Sequence, residues 1–433
     1  MKMFMKKSLV FLLLVCSGFL HAQHYVLDSI TQANSGLINQ EANTLMYAED
    51  SPYFSNFFSK LDSLFAGKKK KLHIFHIGGS HIQADIYSNK IRTYLQNMND
   101  ISTSQRGFIF PYHLAHTNNP LNYRVEADKE KWKGYRCSLN DSVTWGLAGV
   151  SATFNENIDT IFIKSNYKNY TKEDYCFNKL RVFYNNWSDD YELKILDSGL
   201  VLSDSVNTKA AFRQFNFSSS LDSIALEVRL KKDAPKTHEP FLLMGLELMN
   251  DDPGIEYTSI GANGARFDSY TRCAYFEEQL ALYKPDLFII SIGTNDAYTT
   301  HFKAEKFREN YENFMKMIQR VNPECAILLT VPNDSYYRRR FPNKNTSIQE
   351  EIIQELAHKY QMAVWDFYQV MGGLGSSQKW YKKDLMPSDR VHFTYLGYSI
   401  KADLLLSAMV RQWEQSTNRP EESLLTYFKT LDE

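Results

Sequence analysis

The sequence has few cysteines, almost no net charge and, after residue 20, no long apolar run. Its 433 residues include 5 cysteines, and 49 basic against 50 acidic side chains give a formal net charge of −1. Nucleic-acid-binding proteins usually present a clearly basic face, so this balance argues against that class. The basic run at residues 68–71 precedes a predicted strand and is typical of a solvated loop. The sequence therefore predicts no nucleic-acid partner.

The few cysteines also limit the kinds of site that the chain can contain. Their wide spacing matches neither a zinc site nor a dense disulfide framework. Cys137 and Cys176 lie in the same predicted domain and could pair in an oxidising compartment. The sequence leaves that pairing open, because it does not give the distance between the two residues.

The longest apolar stretch is at the N-terminus and is typical of an export signal. Three lysines precede residues 8–20, which are too short for a comfortable membrane span, and Ala22 is the small residue expected before a cleavage site. We therefore expect a signal peptide over residues 1–22, a periplasmic or secreted protein, and no transmembrane segment. Cys16 suggests a lipoprotein instead, but Val15 is a poor residue before a lipidated cysteine.

The remaining chain is long enough for two domains, and its pattern of apolar and polar residues changes twice along the sequence. Residues 23–117 and 251–433 contain apolar strands alternating with helical segments, which predicts a parallel sheet covered by helices on both faces. Residues 118–250 contain short β-rich runs separated by Asn, Asp, Ser and Gly, which predicts an antiparallel β-sandwich. We therefore expect an α/β/α domain interrupted by an inserted sandwich. The stretch "RGFIFPYHLAHTNNP" before the insertion is predicted to be a loop.

Polar groups follow three of the predicted strands and precede the last helix. Ligands of open parallel sheets collect beyond the carboxyl ends of the strands, so these groups are expected to converge. In chain order the candidates are Ser80 in "GGSH", Gly261 or Gly264 in "SIGANGA", Asn295 in "GTND", and Asp389 and His392 in "DRVH".

These residue types fit nucleophilic catalysis on an ester. A serine hydroxyl needs a base within hydrogen-bond reach, and the base needs a third group to orient it. His392 is the candidate base for Ser80, and Asp389 is its candidate orienting group. The amides of Ser80 and of a glycine, together with the Asn295 side chain, are candidate donors to the oxyanion, each worth roughly 3 to 4 kcal/mol.

Each motif alone also has an ordinary structural explanation. "GGSH" is compatible with a tight strand-to-helix turn, "GTND" with a helix-capping loop, and the pair Asp389 and His392 with capping. The glycine turn resembles a phosphate cradle, but no lysine or serine follows it at phosphate-loop spacing. The order of the four motifs at one sheet edge favours the catalytic interpretation.

The four motifs together resemble those of the SGNH hydrolases, also called the GDSL esterases. "GGSHIQAD" is similar to the first block of that family, "SIGANGA" to the second, "GTND" to the third and "DRVHFTYLGY" to the last. The resemblance implies a flavodoxin-like sheet, Ser80 as nucleophile, Gly261 and Asn295 as oxyanion donors, and His392 with Asp389 as base and orienting group. The choice between Gly261 and Gly264 stays open.

The chain departs from the family pattern at one position and adds a domain to it. Gly79 stands where the family usually has aspartate, which questions the rigidity of that loop more than its chemistry. The inserted sandwich resembles the architecture of bacterial peptidoglycan O-acetylesterases with a carbohydrate-binding-like domain. Trp132, Trp145 and Trp187 are candidates for stacking on sugars, although burial in the sandwich core is the favoured alternative.

These resemblances predict a serine esterase that removes O-acetyl groups from an acetylated glycan, with peptidoglycan first among the substrates. An O-acetyltransferase using the same triad is the second hypothesis, and acetylxylan or lipid esters remain alternative substrates. A glycan-binding surface protein with an inactive hydrolase domain is the non-enzymatic alternative. A serine esterase of this kind requires no metal and no organic cofactor. The sequence does not identify a protein partner or an oligomeric state.

Overall fold

The computed structural model describes residue 34 and residues 36–98, 105–139, 142–168 and 174–418. The predicted signal peptide, including Cys16, and the chain beyond residue 418 lie outside the described residues. None of the described helices has the length and apolar character needed to cross a bilayer.

The strands of the described residues form one mixed sheet, two antiparallel sheets and a short hairpin. In chain order they are β1 (Leu45–Met46), β2 (Lys71–Gly78), β3 (Gly107–Ile109), β4 (Arg124–Glu126), β5 (Trp132–Arg136), β6 (Val150–Phe154), β7 (Ile158–Lys164), β8 (Phe177–Tyr184), β9 (Tyr191–Ile195), β10 (Val201–Asn207), β11 (Phe212–Leu221), β12 (Ser223–Leu230), β13 (Phe241–Met249), β14 (Gly254–Gly261), β15 (Leu287–Ser291), β16 (Ala326–Thr330), β17 (Tyr336–Tyr337), β18 (Phe341–Pro342) and β19 (Ala363–Trp365).

The helices flank the mixed sheet. In chain order they are α1 (Pro52–Phe65), α2 (Ser80–Gln83), α3 (Tyr87–Gln96), α4 (Phe267–Tyr270), α5 (Phe276–Leu280), α6 (Thr294–Ala297), α7 (Ala304–Val321), α8 (Asn345–Tyr360), α9 (Phe367–Val370), α10 (Ser376–Tyr381) and α11 (Tyr395–Ser416). Short 3₁₀ helices span Tyr112–Ala115, Lys129–Lys131 and Ser198–Leu200.

The mixed sheet has the strand order β1-β19-β16-β15-β2-β14, in which only β1 is antiparallel to its neighbour. Its inner strands are continuous apolar runs because both faces are covered. On β2, Ile74 packs into the cluster that contains α1, α3 and α11, whereas Phe75 packs into the cluster that contains α7 and α8. The predicted α/β/α layers are confirmed.

The inserted region folds into two antiparallel sheets, as predicted. One has the order β10-β11-β8-β13-β6-β5, and the other has the order β4-β7-β12-β9. The prediction of a continuous loop before the insertion is wrong at its start, because Gly107–Ile109 is a strand that pairs with Leu246–Leu248 of β13. Phe108 and Ile109 are buried in the sandwich core, and this burial stabilises the strand.

The sequence pattern predicts one helix from the "GGSH" motif to Tyr94 and another over "RFDSYTRCAYFEEQLALY", and the structure divides both. The helix after "GGSH" breaks between α2 and α3, where Asp85 has a φ of 46° and turns the chain into the left-handed region. The amphipathic stretch after the second block divides into α4 and α5. The first break occurs where side chains from several elements contact Asp85, which a helical periodicity in sequence does not reveal.

The four described cysteines are free thiols. Cys137 and Cys176 therefore do not pair in the structure. Cys137 instead lies beside Cys273, and burial together with a hydrogen bond involving Cys137 raises the pKa of the Cys273 thiol well above its usual value.

Candidate active site

The carboxyl ends of β14, β2 and β15 meet at one edge of the sheet. Gly78, the last residue of β2, is in register with Gly261 of β14 and with Ser291 of β15. A Cβ atom on Gly78 would lie 2.3 Å from the Ile82 side chain and 2.7 Å from the Ser291 carbonyl oxygen. The glycine therefore allows the chain to turn sharply into α2, whose first residue is Ser80.

Ser80, His392 and Asp389 form a continuous hydrogen-bonded series. The Oγ atom of Ser80 lies 2.9 Å from Nε2 of His392, and Nδ1 of His392 lies 2.8 Å from Oδ2 of Asp389. A proton on Nδ1 that is donated to the carboxylate leaves Nε2 as the acceptor for the serine hydroxyl. The three side chains that the sequence analysis selected are thus in contact.

Asp389 is held as a carboxylate by the loop that contains it. Its Oδ1 accepts the backbone N–H groups of Val391 at 2.9 Å and of His392 at 3.1 Å. Partial burial alone would raise the pKa of Asp389, but the hydrogen bonds from the His392 ring and from these two amides hold it well below its usual range. The carboxylate therefore stays charged beside the imidazole throughout the neutral pH range.

A cavity of about 450 Å³ opens beside Ser80 and His392. Its other lining residues are Gln83, Ala84, Asn118, Asn263, Gly264, Thr294, Asn295, Val391 and Tyr398. Asn295 Nδ2 donates to the carbonyl oxygen of Ala265 at 3.0 Å, which fixes the amide plane. This amide has a second N–H, and it lies in the wall of the same cavity as the serine hydroxyl.

The two candidate glycines have different surroundings in the structure. The N–H of Gly261 faces the Tyr112 hydroxyl at 3.4 Å, and Gly261 does not line the cavity. Gly264 lines it with a φ of 82°, a conformation that glycine adopts at no steric cost. Gly261 is instead a close-packing position, since a Cβ there would lie 2.1 Å from the Gln83 nitrogen.

The space beside Gly79 is limited. A Cβ atom on Gly79 would lie 3.2 Å from Asn295 Nδ2 and 3.7 Å from the Ala265 carbonyl oxygen. The hydrogen bond between Asn295 and Ala265 restrains this side of the loop without the aspartate that the family usually has before the serine.

Comparisons with known proteins match part of the chain to a family of hydrolases. Residues 233–400 match the model of the GDSL-like lipase/acylhydrolase family. The match includes Gly264, Asn295, Asp389 and His392, whereas Ser80 precedes it on the other side of the insertion. The chain thus contains a GDSL-like lipase/acylhydrolase domain, and in this domain it resembles the SGNH/GDSL carboxylic ester hydrolases.

Among solved structures, a peptidoglycan O-acetylesterase superposes on 88% of this chain and 100% of its own, with a TM-score of 0.67 and 20% identity. This match shows that the fold, including the insertion, is shared. An acetylxylan esterase from Geobacillus stearothermophilus matches 37% of this chain and 75% of its own (20% identity, TM-score 0.30). A GDSL-like lipase from Bacteroides thetaiotaomicron matches 36% and 75% (21% identity, TM-score 0.28). No curated protein matches the chain.

Gln83 is a residue of this hydrolase that the sequence analysis did not select. Its Oε1 accepts the Asn263 N–H at 2.8 Å, and its Nε2 donates to the Thr117 hydroxyl at 3.1 Å and to the Asn118 carbonyl oxygen at 2.8 Å. Gln83 thus connects α2 to the glycine turn at Asn263 and to the loop at residues 117–118. The signal for it was its position one helical turn after Ser80.

The histidine next to the serine has a different environment from His392. His81 is buried, its Nδ1 lies 2.9 Å from the Tyr398 hydroxyl, and its ring centroid lies 5.2 Å from that of His392. Burial lowers the pKa of His81 well below its usual value. A neutral His81 therefore packs against His392 without repelling an imidazolium there.

A buried polar cluster is centred on Asp85, two positions after the end of α2. Asp85 accepts hydrogen bonds from Arg92 Nη2 at 3.0 Å, Arg106 Nη2 at 3.1 Å, Asn122 Nδ2 at 2.7 Å and Ser259 Oγ at 2.6 Å. Burial alone would raise the pKa of Asp85, but the two arginines hold it well below its usual range. The cluster ties the first motif to β14 and to the start of the insertion.

The three candidate sugar-stacking tryptophans differ in exposure. Trp132 and Trp145 are buried, as the favoured alternative predicted, whereas Trp187 is 48% exposed and its ring stacks on Tyr275 with centroids 5.6 Å apart.

Within the described ranges, no group of three or more His, Cys, Asp or Glu side chains is placed to hold a metal ion.

Proposed function

We propose that this hydrolase is a periplasmic or secreted O-acetylesterase that removes acetyl groups from a polysaccharide, with peptidoglycan as the first candidate. The observation that best supports the proposal is the hydrogen-bonded series of Ser80, His392 and Asp389 beside a cavity lined by Gly264 and Asn295. The fold shared with a peptidoglycan O-acetylesterase, insertion included, gives the substrate class its support.

In the first half of the reaction, Ser80 Oγ forms a bond to the acetyl carbonyl carbon while His392 Nε2 takes the serine proton. Asp389 stabilises the imidazolium that results. The tetrahedral intermediate then breaks its bond to the sugar oxygen. His392 returns the proton to that oxygen, so the sugar leaves as an alcohol and Ser80 keeps the acetyl group.

In the second half, a water molecule attacks the acetyl-serine carbonyl while His392 takes its proton. The second tetrahedral intermediate collapses, Ser80 recovers the proton and acetate leaves. In both halves the negative charge on the carbonyl oxygen is stabilised by donors from the cavity wall, which we assign to the amides of Ser80 and Gly264 and to the Asn295 side chain.

The half-buried position of the site fits a substrate presented on a polymer. His392 and Asp389 are 41% and 27% exposed at their side chains, so the nucleophile is reached from the surface. An acetyl group is small enough to enter the cavity while the glycan stays outside it.

The purified chain without residues 1–22 tests the proposal on p-nitrophenyl acetate. We expect measurable hydrolysis and a loss of roughly 10³-fold or more in kcat for Ser80→Ala, because the nucleophile is removed. The matched control is Ser138→Ala, which changes a serine near Gly264 that is bonded to the Asn263 carbonyl oxygen instead of to a histidine. Equal rates for the native protein and Ser80→Ala would refute the mechanism.

Acetate release from O-acetylated peptidoglycan, acetylxylan and an acetylated sialic acid then ranks the substrates. Release in the presence of a second, unacetylated glycan separates hydrolysis from transfer. Acetyl groups appearing on the added glycan in place of free acetate would show an O-acetyltransferase with the same residues.

A further inference from the structure

A basic hairpin lies against the loop that contains His392. The hairpin, residues 336–342, consists of β17 and β18 joined by Arg338, Arg339 and Arg340, and we call it the basic arm. All three arginines are exposed. In the described part of the chain, no carboxylate forms an ion pair with them, although the whole sequence has a net charge of only −1.

The backbone of the basic arm is unfavourable for the residues it contains. Arg338 has a φ of 53° and Arg339 a φ of 59°. Glycine and asparagine adopt such turns at little cost, whereas two consecutive arginines in the left-handed region are strained. The chain therefore has arginines where shorter residues would stabilise the turn better, which points to a use for their charge.

Contacts on two sides fix the basic arm at the mouth of the active site. On the side of the catalytic loop, the Tyr336 N–H donates to the Arg390 carbonyl oxygen at 3.2 Å, and the Arg390 guanidinium lies 4.2 Å from the Tyr336 ring centroid and donates to the Arg339 carbonyl oxygen. Arg390 is two positions before His392, so their Cα atoms are at most about 7.6 Å apart.

On the side of α6, the Arg338 N–H donates to the Tyr298 hydroxyl at 2.9 Å, and the rings of Tyr298 and Tyr337 are 4.9 Å apart. Tyr298 directly follows the helix that contains Asn295. The basic arm thus contacts the loop that contains His392, which lines the cavity, and the residue that directly follows α6, a helix that also lines it.

A second set of cations borders the same loop. Arg390 also donates to Gln378 of α10, and the exposed Lys379, Lys382 and Lys383 are on or directly after that helix. Asp384 is the one exposed acid in this stretch. A surface with six exposed cations and one exposed acid favours a polyanion, and arginine in particular favours carboxylates, which it binds with two parallel hydrogen bonds.

We propose that the basic arm binds carboxylate groups of the polymer that bears the acetyl ester, so that the enzyme prefers acidic acetylated glycans to neutral ones. The inference rests on the proposed esterase function and adds the charge of its substrate. The carboxylates can belong to the sugar units or to peptides attached to them, and the two sources offer the same chemistry to arginine.

The test compares Arg338→Gln/Arg339→Gln/Arg340→Gln with Lys68→Gln/Lys69→Gln/Lys70→Gln. The control removes the same charge before β2, whose eight residues place it roughly 26 Å from the end that leads to Ser80. The substrates are acetylated polygalacturonate, acetylxylan and O-acetylated peptidoglycan with and without its stem peptides. For each variant, kcat/KM on each polymer is divided by kcat/KM on p-nitrophenyl acetate.

We expect the arm variant to lower this ratio by at least about tenfold on acidic polymers and by less than about twofold on acetylxylan, and the lysine variant to leave all ratios unchanged. Loss only with polygalacturonate identifies sugar carboxylates, and loss only with peptide-bearing peptidoglycan identifies peptide carboxylates. Equal loss on acetylxylan, or no loss on any acidic polymer, would overturn the inference.

A second measurement leaves the protein unchanged and therefore does not depend on how the arm variant folds. Amidation of the polymer carboxylates should lower kcat/KM of the native enzyme by at least about tenfold, and 0.5 M NaCl should weaken the preference for the unmodified polymer. An undiminished rate on the amidated polymer would overturn the inference. If instead the native enzyme and Ser80→Ala are equally inactive on p-nitrophenyl acetate, the esterase proposal itself has failed.

Discussion

The Nε2 atom of His392 lies 2.9 Å from the Oγ atom of Ser80, although 312 positions separate the two residues in sequence. The contact exists because β2 ends beside β14 and β15, and because the loop before α11 returns to that edge. Asp389 extends the series within the same loop, three positions before the histidine. The long insertion between the two halves leaves this arrangement intact, since it leaves the sheet and returns to it at neighbouring strands.

Replacing Asp389 by asparagine tests the third member of the series. The amide oxygen of asparagine can still accept the Val391 and His392 N–H groups, but the negative charge beside Nδ1 is lost and the wrong ring tautomer is favoured. We expect kcat on p-nitrophenyl acetate to fall roughly 10⁴-fold, the size seen for the equivalent change in the serine-protease triad. The melting temperature serves as the control for folding, and a loss of less than about tenfold would contradict the assignment of Asp389.

Asn295 is expected to act in the transition state more than in substrate binding. Asn295→Ala should lower kcat by about 10²- to 10³-fold with a smaller change in KM, because the charge on the carbonyl oxygen develops only as Ser80 attacks. Thr294→Ala changes the neighbouring residue of the same cavity wall and is the matched control. An equal decrease of kcat in both variants would contradict the assignment of Asn295 as an oxyanion donor.

The two glycines of the second motif are expected to respond differently to alanine. At Gly261 the new Cβ would meet the backbone of Gln83 at 2.1 Å and of Gly79 at 2.6 Å, and neither can move without shifting α2. At Gly264 the nearest atom is the Ser138 Oγ at 3.4 Å, so the cost is mainly the positive φ, about 1 to 2 kcal/mol.

Chemical unfolding of both variants measures this difference. We expect Gly264→Ala to fold with slightly reduced stability and Gly261→Ala to be severely destabilised or absent from the soluble fraction. A Gly261→Ala protein as stable as Gly264→Ala would show that the packing of Gly261 against α2 is looser than the structure has it.

The sequence predicted the sheet edge better than it predicted the details around it. Four strands appear as continuous apolar runs. Ser80 and Asn295 follow two of them, and Asp389 and His392 precede the last helix, at positions that only a parallel sheet brings together. The sequence favoured Gly261 but left Gly264 open, because spacing alone does not show which amide a turn presents to a cavity. In the structure the Gly261 N–H faces the hydroxyl of Tyr112, which belongs to a distant segment.

Three other features could not be predicted from the sequence, because they depend on contacts between distant segments. The strand at Gly107–Ile109 is three residues long and is stabilised by its pairing with β13, about 140 positions away, so its own composition gives little signal. The break between α2 and α3 depends on Asp85, whose partners come from three other segments. Arginines 338–340 gave no motif, and their relation to the active site appears only once Arg390 is placed between them and His392.

Asp85 is expected to be the most important carboxylate for stability near the site. Asp85→Asn leaves Arg92 and Arg106 buried without a counter-charge, a change that costs about 3 to 5 kcal/mol. The folded-state pKa of Asp85 is depressed, so its contribution is present above the unfolded value of 3.8 and is lost as the pH falls through the folded value. The difference in unfolding free energy between the native protein and the variant should therefore reach its maximum at pH 7 and decrease in strong acid.

Urea unfolding at pH 7 and at acid pH measures this difference. Asp204→Asn, which breaks an exposed pair with Arg213 in the sandwich, is the control and should cost less than about 1 kcal/mol. A similar small cost for Asp85→Asn would mean that the buried arginines find other acceptors.

Lys401 is expected to destabilise the folded state at neutral and acid pH. Its side chain is buried among Phe367, Tyr87 and Phe393, with Nζ 4.5, 4.8 and 5.6 Å from their ring centroids, and burial lowers its pKa from 10.5 to about 7. The unfolded chain thus binds the proton more tightly between about pH 7 and 10.5, and the stability of the native protein should rise across this window.

Lys401→Met removes the charge and keeps a flexible apolar side chain in the aromatic pocket. We expect the variant to be more stable than the native protein by about 1 to 3 kcal/mol at pH 6, since the lost cation–π attraction of about 0.5 to 2 kcal/mol offsets only part of the relief. The gain should shrink towards pH 10, where the native lysine is already neutral in the folded state. Lys306→Met, at an exposed position of α7, should show no such pH dependence. A variant that is less stable than the native protein at pH 6 and at pH 10 alike would mean that the aromatic pocket stabilises the ammonium group more than burial destabilises it.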